Sequence, residues 1–506
     1  MRVKLSAARV AISILERWNK GCGWSGGTTE DTLGGSQWDS GHDVRIHLID
    51  IRHPGASNSS RKTVRTRTGI ANELAKFDHD IIALQEIWVF SDYEHIRDSV
   101  LKRLPYSKFF YSGALGAGLA LFSRFPIIAT SVHPYSLNGA PIDVAAGDWF
   151  VGKAAVSIII THPVLGQVQV FNTHLFAKGG EDGPEYNRAH RLVNAWEFSK
   201  LARQAAELGR YVIAAGDFNS IPSTLPMALI REYAALTDSW AVAHPISPNI
   251  SSPSAMEAIT QFGVTADSPV NSYSAGKPIG PYARKFLGKR LDYILYRQPV
   301  RPHNRSDEPL PVLKCTDCTV VLTEKVPGHE FSFSDHFGLE ATLEIQTGQA
   351  DLAEPQNVWS SSASHPPPST VSELSAESIS TTMQALAACY RFSRQRARKE
   401  LMIFALCILL LLGLVVGSSW LPHAWINPIF ILFTIFIAWL ATTMLYEGFL
   451  YGNWECNALM NVIEELEIYK NGLEIQAGTR TVTNERDGLI LHSISTRLTT
   501  LGEYNS

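Results

Sequence analysis

The sequence has little cysteine and no excess of charge of either sign. It contains six cysteines among 506 residues, and 44 Lys and Arg face 48 Asp and Glu, which gives a formal net charge of −4. Six scattered cysteines exclude a disulfide-rich secreted scaffold. Only Cys315 and Cys318 form a Cys-x-x-Cys pair, and no second such motif completes a zinc site, so we interpret them as structural thiols. The charge balance argues against a dedicated nucleic-acid binder, whose partner is a polyanion.

What the sequence does contain divides it into segments of different composition. Residues 1–43 are predicted to form a flexible N-terminal arm. From 44 to 345, short apolar runs alternate with amphipathic segments, and Val168–Phe171 and Tyr211–Ala214 are typical of strands. This alternation predicts an α/β body. Residues 346–390 are rich in Ser and Pro and are predicted to be a linker.

Two uncharged stretches, 401–420 and 426–446, follow the linker. Twenty residues of α-helix span about 30 Å, the thickness of the hydrocarbon core of a bilayer. Their short connector predicts a transmembrane hairpin within 391–450. The alternative is a buried apolar hairpin of a soluble domain. Five basic residues precede the first stretch: Arg391, Arg394, Arg396, Arg398 and Lys399. The positive-inside rule then places the body and the tail 451–506 in the cytosol.

Polar side chains follow apolar strands at several points of the body. Glu86 ends one such run, His174 another, and Asp217 and Asn219 follow a third. Residues two apart point to the same face of an extended segment, so Asp217 and Asn219 can act on one phosphate. A carboxylate such as Glu86 suits Mg²⁺. The remaining positions of this kind are Asp292, which enters a strand, and the adjacent pair Asp335 and His336. Taken singly, each is equally typical of a strand-to-turn junction.

The ordered set Gln-Glu, Asn-Thr-His, Gly-Asp-Phe-Asn, Arg-Leu-Asp-Tyr and Ser-Asp-His resembles the endonuclease/exonuclease/phosphatase superfamily over residues 44–345. The resemblance implies a four-layered α/β sandwich and metal-dependent hydrolysis of a phosphoester. Further segments, together with the C-terminal hairpin, are similar to the neutral sphingomyelinases and the fungal inositol phosphosphingolipid phospholipases C. These segments are Gln85-Glu-Ile-Trp88, Ser112–Arg124, Leu137–Pro141, Gly147–Ala155, His190-Arg191, Ala195–Glu197 and Gly263–Pro269.

This resemblance implies a role for each catalytic position. His336, oriented by Asp335, would take a proton from the attacking water. His174, oriented by Asp292, would stabilise charge on the phosphoryl oxygens. The phosphate and the leaving oxygen would be positioned by Asp217 and Asn219.

The metal and the substrate are also implied by the resemblance. Glu86 and Asp50 would hold Mg²⁺, with Mn²⁺ able to replace it, and Asp148 and Lys153 would lie near the substrate. Asp50 stands where the family has Asn, either as a genuine variation or through an error in the gene structure around residues 1–67. Phe176 stands where the family often has a second His.

We therefore expect a membrane-anchored, Mg²⁺-dependent phospholipase C that converts a phosphosphingolipid to ceramide and a phosphorylated head group. The head group stays open between phosphocholine and inositol phosphate. Anionic phospholipids are expected as activators through the basic cluster, and no nucleic-acid partner is expected. The membrane would be the endoplasmic reticulum or another intracellular membrane, with mitochondria among the candidates. The alternatives are a phosphoinositide phosphatase, a nuclease, and an inactive membrane adaptor.

Overall fold

A computed structural model describes residues 43–50, 61–144, 147–178, 185–245, 253–278, 280–300, 310–346, 374–420 and 423–476. The N-terminal arm, most of the linker and the last 30 residues therefore lie outside the described residues. The side chains of 49, 50 and 61–67 lie outside them as well, although the backbone at these positions is assigned.

Two six-stranded sheets form the centre of the described part. The strands are β1 (Asp43–Asp50), β2 (Ile81–Gln85), β3 (Tyr106–Phe110), β4 (Leu119–Ser123), β5 (Ile127–Pro134), β6 (Ala154–His162), β7 (Gly166–His174), β8 (Tyr211–Asp217), β9 (Thr237–Asp238), β10 (Asp292–Arg297), β11 (Val312–Val321) and β12 (Gly338–Gln346). The first sheet has the order β11-β12-β1-β2-β4-β3, and the second has β5-β6-β7-β8-β10-β9. The pairs β1–β2 and β7–β8 are parallel, so the carboxyl ends of each pair meet at one edge.

Helices surround the sheets and continue beyond them. They are α1 (Arg61–Leu74), α2 (Phe90–Val100), α3 (Asp148–Val151), α4 (Glu185–Glu207), α5 (Leu225–Ala228), α6 (Ser239–Ala243), α7 (Ala255–Phe262), α8 (Pro281–Phe286), α9 (Ala376–Gly417), α10 (Asn427–Leu445) and α11 (Gly452–Gln476). Single turns of π-helix extend two of these helices, at Leu229–Tyr233 and Tyr446–Tyr451. Helix α7 begins with a capping box, in which Ser254 and Glu257 satisfy each other's backbone amides.

Three apolar clusters define the layers of the body. The inner faces of the two sheets pack on each other, for example through Ile46 and Ile213. Helices α1 and α2 cover the outer face of the first sheet, where Ile70 lies in the same cluster as Ile82. Helix α4 covers the outer face of the second sheet. Strand β8 is buried along its whole length, which explains its unbroken apolar sequence. The predicted α/β sandwich of two sheets is confirmed.

The Cys-x-x-Cys pair lies in β11, on the face that packs between the sheets. A register shift between Cys315 and Asp317 lets Cys315 and Cys318 both point inward, although three positions separate them. Both are free thiols, and burial raises the pKa of Cys315 to about 11. They act as small apolar side chains in this core.

The C-terminal helices correct the predicted linker. Helix α9 begins at Ala376, and the side chain of Ser375 caps it by accepting a hydrogen bond from Ser378 N. Residues 376–390, which we assigned to the linker, are therefore helical. Their buried side chains, such as Leu386, pack on α4 in one cluster with Leu459 of α11. The linker was assigned from average composition, which does not show that the apolar residues of 376–390 lie on one face of a helix.

Helices α9 and α10 contain the predicted apolar stretches and are long and apolar enough to cross a membrane. Only 6% of the apolar window of the first helix and 17% of that of the second are buried within the protein. This exposure argues against the alternative of a hairpin buried in the core of the described residues. The two helices contact each other through Cys407, Ile437 and Ala441. Helix α11 occupies the start of the predicted tail and packs against the body.

Candidate active site

Three adjacent strand ends place three of the expected catalytic side chains in a row. His174 at the end of β7 pairs in register with Asp217 at the end of β8. Asp292 at the start of β10 pairs with Asp217 from the other side. All three side chains are buried. Gly216 permits this close approach, because a Cβ at that position would collide with the carbonyl oxygen of Thr173.

His336 joins this row through Asp292. Its Nδ1 lies 2.9 Å from Asp292 Oδ2. This pairing corrects the expectation that Asp292 orients His174, and it gives His336 a partner other than the expected Asp335. Asp335 itself accepts a hydrogen bond from Ser334 Oγ at 3.3 Å. Asp335 and His336 lie in a bend before β12, and the start of β10 in the other sheet brings Asp292 to the imidazole.

Lys153 and Asp148 enter the same site from the Gly147–Ala155 segment. Lys153 is buried. Its Nζ lies 2.9 Å from His174 Nε2, 3.3 Å from Asp148 Oδ1, and 2.9 Å from the Leu175 carbonyl oxygen, to which it donates. The same His174 Nε2 lies 3.3 Å from Asp217 Oδ2. The ammonium, imidazole and carboxylate therefore form one continuous polar chain.

The two buried aspartates have opposite electrostatic environments. Burial alone would raise the pKa of Asp217, but hydrogen bonding to His174 and the charges of His336 and Lys153 hold it well below its usual range. Burial raises the pKa of Asp292, against the opposing attraction of His336. Asp217 is thus the firmly ionised carboxylate of the pair.

Asn219 lies at the site in a left-handed conformation, with φ of 46°. Its Nδ2 donates to Asp217 Oδ2 at 3.1 Å and to the Leu175 carbonyl at 3.0 Å. Both amide protons are used within the protein, so in this structure Asn219 holds Asp217 in place. Arg191, which is buried, donates to the Asn219 carbonyl and fixes this turn.

Glu86 also adopts a left-handed conformation, with φ of 56°. Such backbone strain in a residue other than glycine is concentrated at functional sites. Gly118 leaves room for it, because a Cβ at 118 would lie 3.1 Å from both the Glu86 Cα and the Trp88 ring. Trp88 Nε1 donates to Glu86 Oε2 at 3.2 Å. The neighbouring Gln85 donates to Asn172, two residues before His174, so Glu86 lies at the edge where β2 meets β7.

Asp50 ends β1 in register with Gln85, beside the strand that leads to Glu86. Its side chain lies outside the described residues. The backbone therefore brings the two expected metal ligands to one edge of the first sheet.

The donor set fits a divalent cation. Ligand atoms of Asp217, Asp292 and His336 lie within 4.8 Å of one another. Asp292 Oδ1 is buried with no hydrogen-bond partner among the described residues, which is costly for a carboxylate unless a cation or a water meets it. Carboxylate oxygens are the preferred ligands of hard cations. Glu86 is not a member of this close group among the described residues.

Two residues that support the site, Thr265 and Asn271, were not among the residues predicted from the sequence. Thr265 Oγ1 accepts a hydrogen bond from Leu291 N at 3.2 Å, and its carbonyl accepts from Phe337 N at 2.8 Å, so it braces the backbone beside both Asp292 and His336. Asn271 Nδ2 donates to the Ser334 carbonyl at 2.9 Å. Thr265 lies within the Gly263–Pro269 segment that carried the resemblance, which was the available signal.

The C-terminal helices contact the site through residues 136–139, which we call the motif loop. Trp454 Nε1 donates to the Ser136 carbonyl at 2.9 Å, and Tyr451 OH donates to the Gly139 carbonyl. Asn138 Nδ2 donates to the carbonyl of Lys153 at 3.2 Å. A cavity of about 350 Å³ lies between this loop and the hairpin. It is lined by residues that include Tyr135, Asn138, Trp149, Leu450, Tyr451 and Trp454.

A buried ion-pair network reinforces this junction. His190 Nε2 lies 2.8 Å from Glu455 Oε1, and its Nδ1 accepts a hydrogen bond from Gly139 N at 3.1 Å. Arg396 donates to Glu455 Oε2 at 2.7 Å. Cys389 lies nearby, but burial raises the pKa of its thiol to about 12, which keeps it protonated. The network is therefore a salt-bridged junction between body and hairpin.

The chain belongs to the endonuclease/exonuclease/phosphatase family, whose model matches residues 37–336. Within that family, the chain is 35% identical to an inositol phosphosphingolipids phospholipase C of Schizosaccharomyces pombe, over 81% of this chain and 91% of the relative. It is 30% identical to the protein of the same name from Saccharomyces cerevisiae, over 77% and 78%. It is 32% identical to a putative neutral sphingomyelinase of Caenorhabditis elegans, over 53% and 58%.

Proposed function

We propose that this protein is a membrane-anchored, Mg²⁺-dependent phospholipase C that cleaves phosphosphingolipids to ceramide and a phosphorylated head group. One observation carries the proposal: side chains from distant motifs, among them Lys153, His174, Asp217, Asp292 and His336, meet in a single buried site. A phosphodiester hydrolase needs such a combination of base, cationic groups and carboxylates.

We further propose an inositol phosphate head group. The alignment with the Schizosaccharomyces pombe relative spans 422 residues, more than residues 1–345 can supply. The similarity therefore extends past the catalytic body into at least part of α9. The similarity to the putative neutral sphingomyelinase covers 271 residues, little more than half of either chain.

In the proposed reaction, His336 is the general base. Asp292 holds Nδ1, so the proton of the attacking water passes to Nε2, and the carboxylate stabilises the imidazolium that forms. The water oxygen bonds to phosphorus as the bond from phosphorus to the ceramide oxygen breaks. The ceramide oxygen takes its proton from the His174–Lys153 pair, which also offsets charge on the phosphoryl oxygens. Asn219 holds Asp217, and Asp217 holds this pair in position.

Glu86 and Asp50 would hold the Mg²⁺ ion at the edge of the first sheet where β1 and β2 end. When bound, the ion supplies a positive charge that polarises the phosphoryl oxygens. Asp50 in place of Asn adds a negative charge to this set, which favours the cation and opposes the phosphate.

We propose that α9 and α10 insert in an intracellular membrane, such as that of the endoplasmic reticulum, with the body and the tail on the cytosolic side. The hairpin then confines the site to the bilayer surface and raises its effective concentration near lipid. We infer that a lipid leaving the bilayer reaches the site through the cavity between the motif loop and the hairpin, which Tyr135, Trp149 and Trp454 help to line.

Anionic phospholipids are proposed as activators through the basic cluster. Arg396 is paired with Glu455, so the four cations left for lipid are Arg391, Arg394, Arg398 and Lys399, all of them exposed. Each such charge near an anionic surface contributes about 1 kcal/mol. Replacing Arg394, Arg398 and Lys399 by Gln should abolish stimulation by phosphatidylserine while leaving activity in neutral micelles intact. Unchanged stimulation by phosphatidylserine would refute the proposed role of the basic cluster.

Release of ceramide from mixed micelles tests the proposed reaction. The full chain is given inositol phosphosphingolipid and sphingomyelin side by side, with and without Mg²⁺. We expect Mg²⁺-dependent ceramide release, its loss in His336→Ala, and its retention in His95→Ala, which changes an exposed histidine of α2. Release of inorganic phosphate would indicate the phosphatase, and nicking of plasmid the nuclease. Recovery of activity only in Asp50→Asn would indicate a naturally inactive site.

A further inference from the structure

A second cluster of potential ligands lies in the first sheet, apart from the residues assigned to catalysis. His47 on β1 pairs in register with Glu340 on β12. His79 lies two residues before β2, at the opposite end of that strand from Glu86. The cluster therefore ties together two strands and the turn that leads into a third.

Three of the four ring nitrogens of the two imidazoles lack a polar partner among the described residues. His47 is fully buried and His79 is 1% exposed. Both nitrogens of His47 and Nδ1 of His79 are buried with no hydrogen-bond partner in the part of the chain that the structure describes, and His79 Nε2 faces only the Glu340 carboxylate. A buried polar atom left unpaired costs about 1–3 kcal/mol, so two adjacent unsatisfied histidines are far too costly to be chosen merely as apolar filling. Leu or Phe would fill the same space without that penalty.

The three side chains converge on a point. The rings of His47 and His79 have centroids 4.5 Å apart, and one ligand atom from each of the three residues lies within 4.8 Å of the others. His79 Nε2 lies 3.2 Å from Glu340 Oε1. Two ligands bound tetrahedrally to zinc at about 2.0–2.1 Å are about 3.3 Å apart, so this pair already has the required spacing.

We propose that His47, His79 and Glu340 form a second divalent-cation site, of the two-histidine, one-carboxylate type that Zn²⁺ occupies, with solvent as fourth ligand. Imidazole nitrogen favours zinc, whereas Mg²⁺ prefers an all-oxygen set such as that of the catalytic site. The site has an entry path, because the Glu340 side chain is 23% exposed while both histidines are enclosed. Its role is structural: the ion cross-links β1, β12 and the turn before β2.

The backbone of β12 approaches the imidazole of His47 closely. Gly338, near Glu340 on β12, leaves space beside the ring, since a Cβ there would lie 3.4 Å from His47 Nε2.

Metal analysis of the full chain in detergent tests the proposal, with Mg²⁺ in excess so that hard-cation sites are filled. We expect one zinc ion to remain bound per chain after dialysis in wild type and in Asp292→Asn, which alters only the catalytic group. We expect the ion to be lost in His79→Gln and in Glu340→Gln. Because Glu340 is partly exposed, its variant is expected to fold, and circular dichroism will verify that it does.

A second measurement separates binding from folding. Adding Zn²⁺ to chelator-treated protein should raise the thermal unfolding temperature of wild type and of Asp292→Asn, but not that of Glu340→Gln. Replacement of the zinc by Co²⁺ should give the absorption bands of a tetrahedral ion in wild type but not in Glu340→Gln. The proposal is overturned if folded wild type retains no zinc and shows no thermal response. Zinc lost in Asp292→Asn but kept in both cluster variants would overturn it equally.

Discussion

His336 contacts a carboxylate that lies 44 residues away in the chain, although another carboxylate is its neighbour. If Asp292 holds the base, Asp292→Asn should lower kcat by about 10³- to 10⁴-fold, because an amide favours the wrong imidazole tautomer. Asp335→Asn should lower it by less than about tenfold. Ceramide release at saturating Mg²⁺ measures both variants.

The comparison is informative because both variants convert a carboxylate near His336 to an amide. One carboxylate contacts the imidazole, and the other is its neighbour in the chain. Thermal unfolding of both should stay near that of wild type, which separates a catalytic defect from a folding defect. Equal losses in the two variants would contradict the pairing, and so would a larger loss in Asp335→Asn.

His162 gives the protein a dependence on pH outside the active site. It is buried, its ring packs on Phe125, and its Nδ1 accepts hydrogen bonds from the amides of Val164 and Leu165 at 3.2 Å. Burial lowers its pKa from 6.5 to about 4. Because the folded pKa is below the unfolded one, protonation favours the unfolded chain. Stability is complete above about pH 6.5 and falls by about 3 kcal/mol as the pH drops toward 4.

Substituting His162→Asn keeps an oxygen that can accept from the turn but removes the titration. Between neutral pH and about pH 4.5, the unfolding temperature of wild type should fall several degrees further than that of the variant. Other carboxylates titrate in both proteins and cancel in the difference. Parallel curves for the two proteins would show that His162 does not contribute.

At the scale of single residues, the sequence indicated which side chains meet but not how they pair. Asp217 and His174 stand at the ends of neighbouring parallel strands, and such ends meet at one edge of a sheet, so their grouping followed from local pattern. The pairing of Asp292 with His336 depends on how one sheet packs on the other. Similarly, the burial of Lys153 depends on its contacts with His174 and the Leu175 carbonyl at the end of β7. The spacing of residues within a motif predicts neither the Asp292–His336 pair nor the burial of Lys153.

Helix α11 holds the motif loop, and this contact gives a prediction at the scale of elements. Trp454→Phe removes the hydrogen bond to the Ser136 carbonyl but keeps an aromatic ring beside the cavity. A hydrogen bond of this kind contributes about 1 kcal/mol, so activity toward substrate in vesicles should fall by about fivefold. Circular dichroism and thermal unfolding should change little.

Trp425→Phe is the matched control. Trp425 is exposed near the turn of the hairpin, and no hydrogen bond joins it to the motif loop among the described residues. Its vesicle activity should equal that of wild type. If both variants lose activity alike, the effect belongs to membrane anchoring by tryptophan, and the contact with the motif loop is irrelevant to turnover.

At the scale of the whole molecule, the catalytic body and the C-terminal helices share one core. Buried side chains of α9 and α11 lie in the same cluster as those of α4, and Trp196 Nε1 donates to Glu465 at 2.6 Å. A chain ending at Gln346 should therefore expose apolar surface on α4 and associate, despite containing the whole sandwich. Size-exclusion chromatography in detergent measures the monomeric fraction.

A chain ending at Gln476 is the control, because it keeps every described helix. It should remain monomeric and active on micelles. A stable, monomeric and active chain ending at Gln346 would show that the helices serve only as an anchor and contribute nothing to the core.

The sequence by itself determined the class of fold, the family, the two apolar stretches and most of the residues at the site. These follow from local information, namely the periodicity of apolar residues, the residue types at strand ends, and runs long enough to cross a bilayer.

Only the tertiary structure decided which carboxylate orients His336, where α9 begins, how Trp454 and Tyr451 meet the motif loop, and that His47 and His79 face Glu340. The physical reason is common to all four. Each depends on contacts between segments far apart in the chain, which are set by sheet register and by the packing of one layer on another, and no local pattern encodes them.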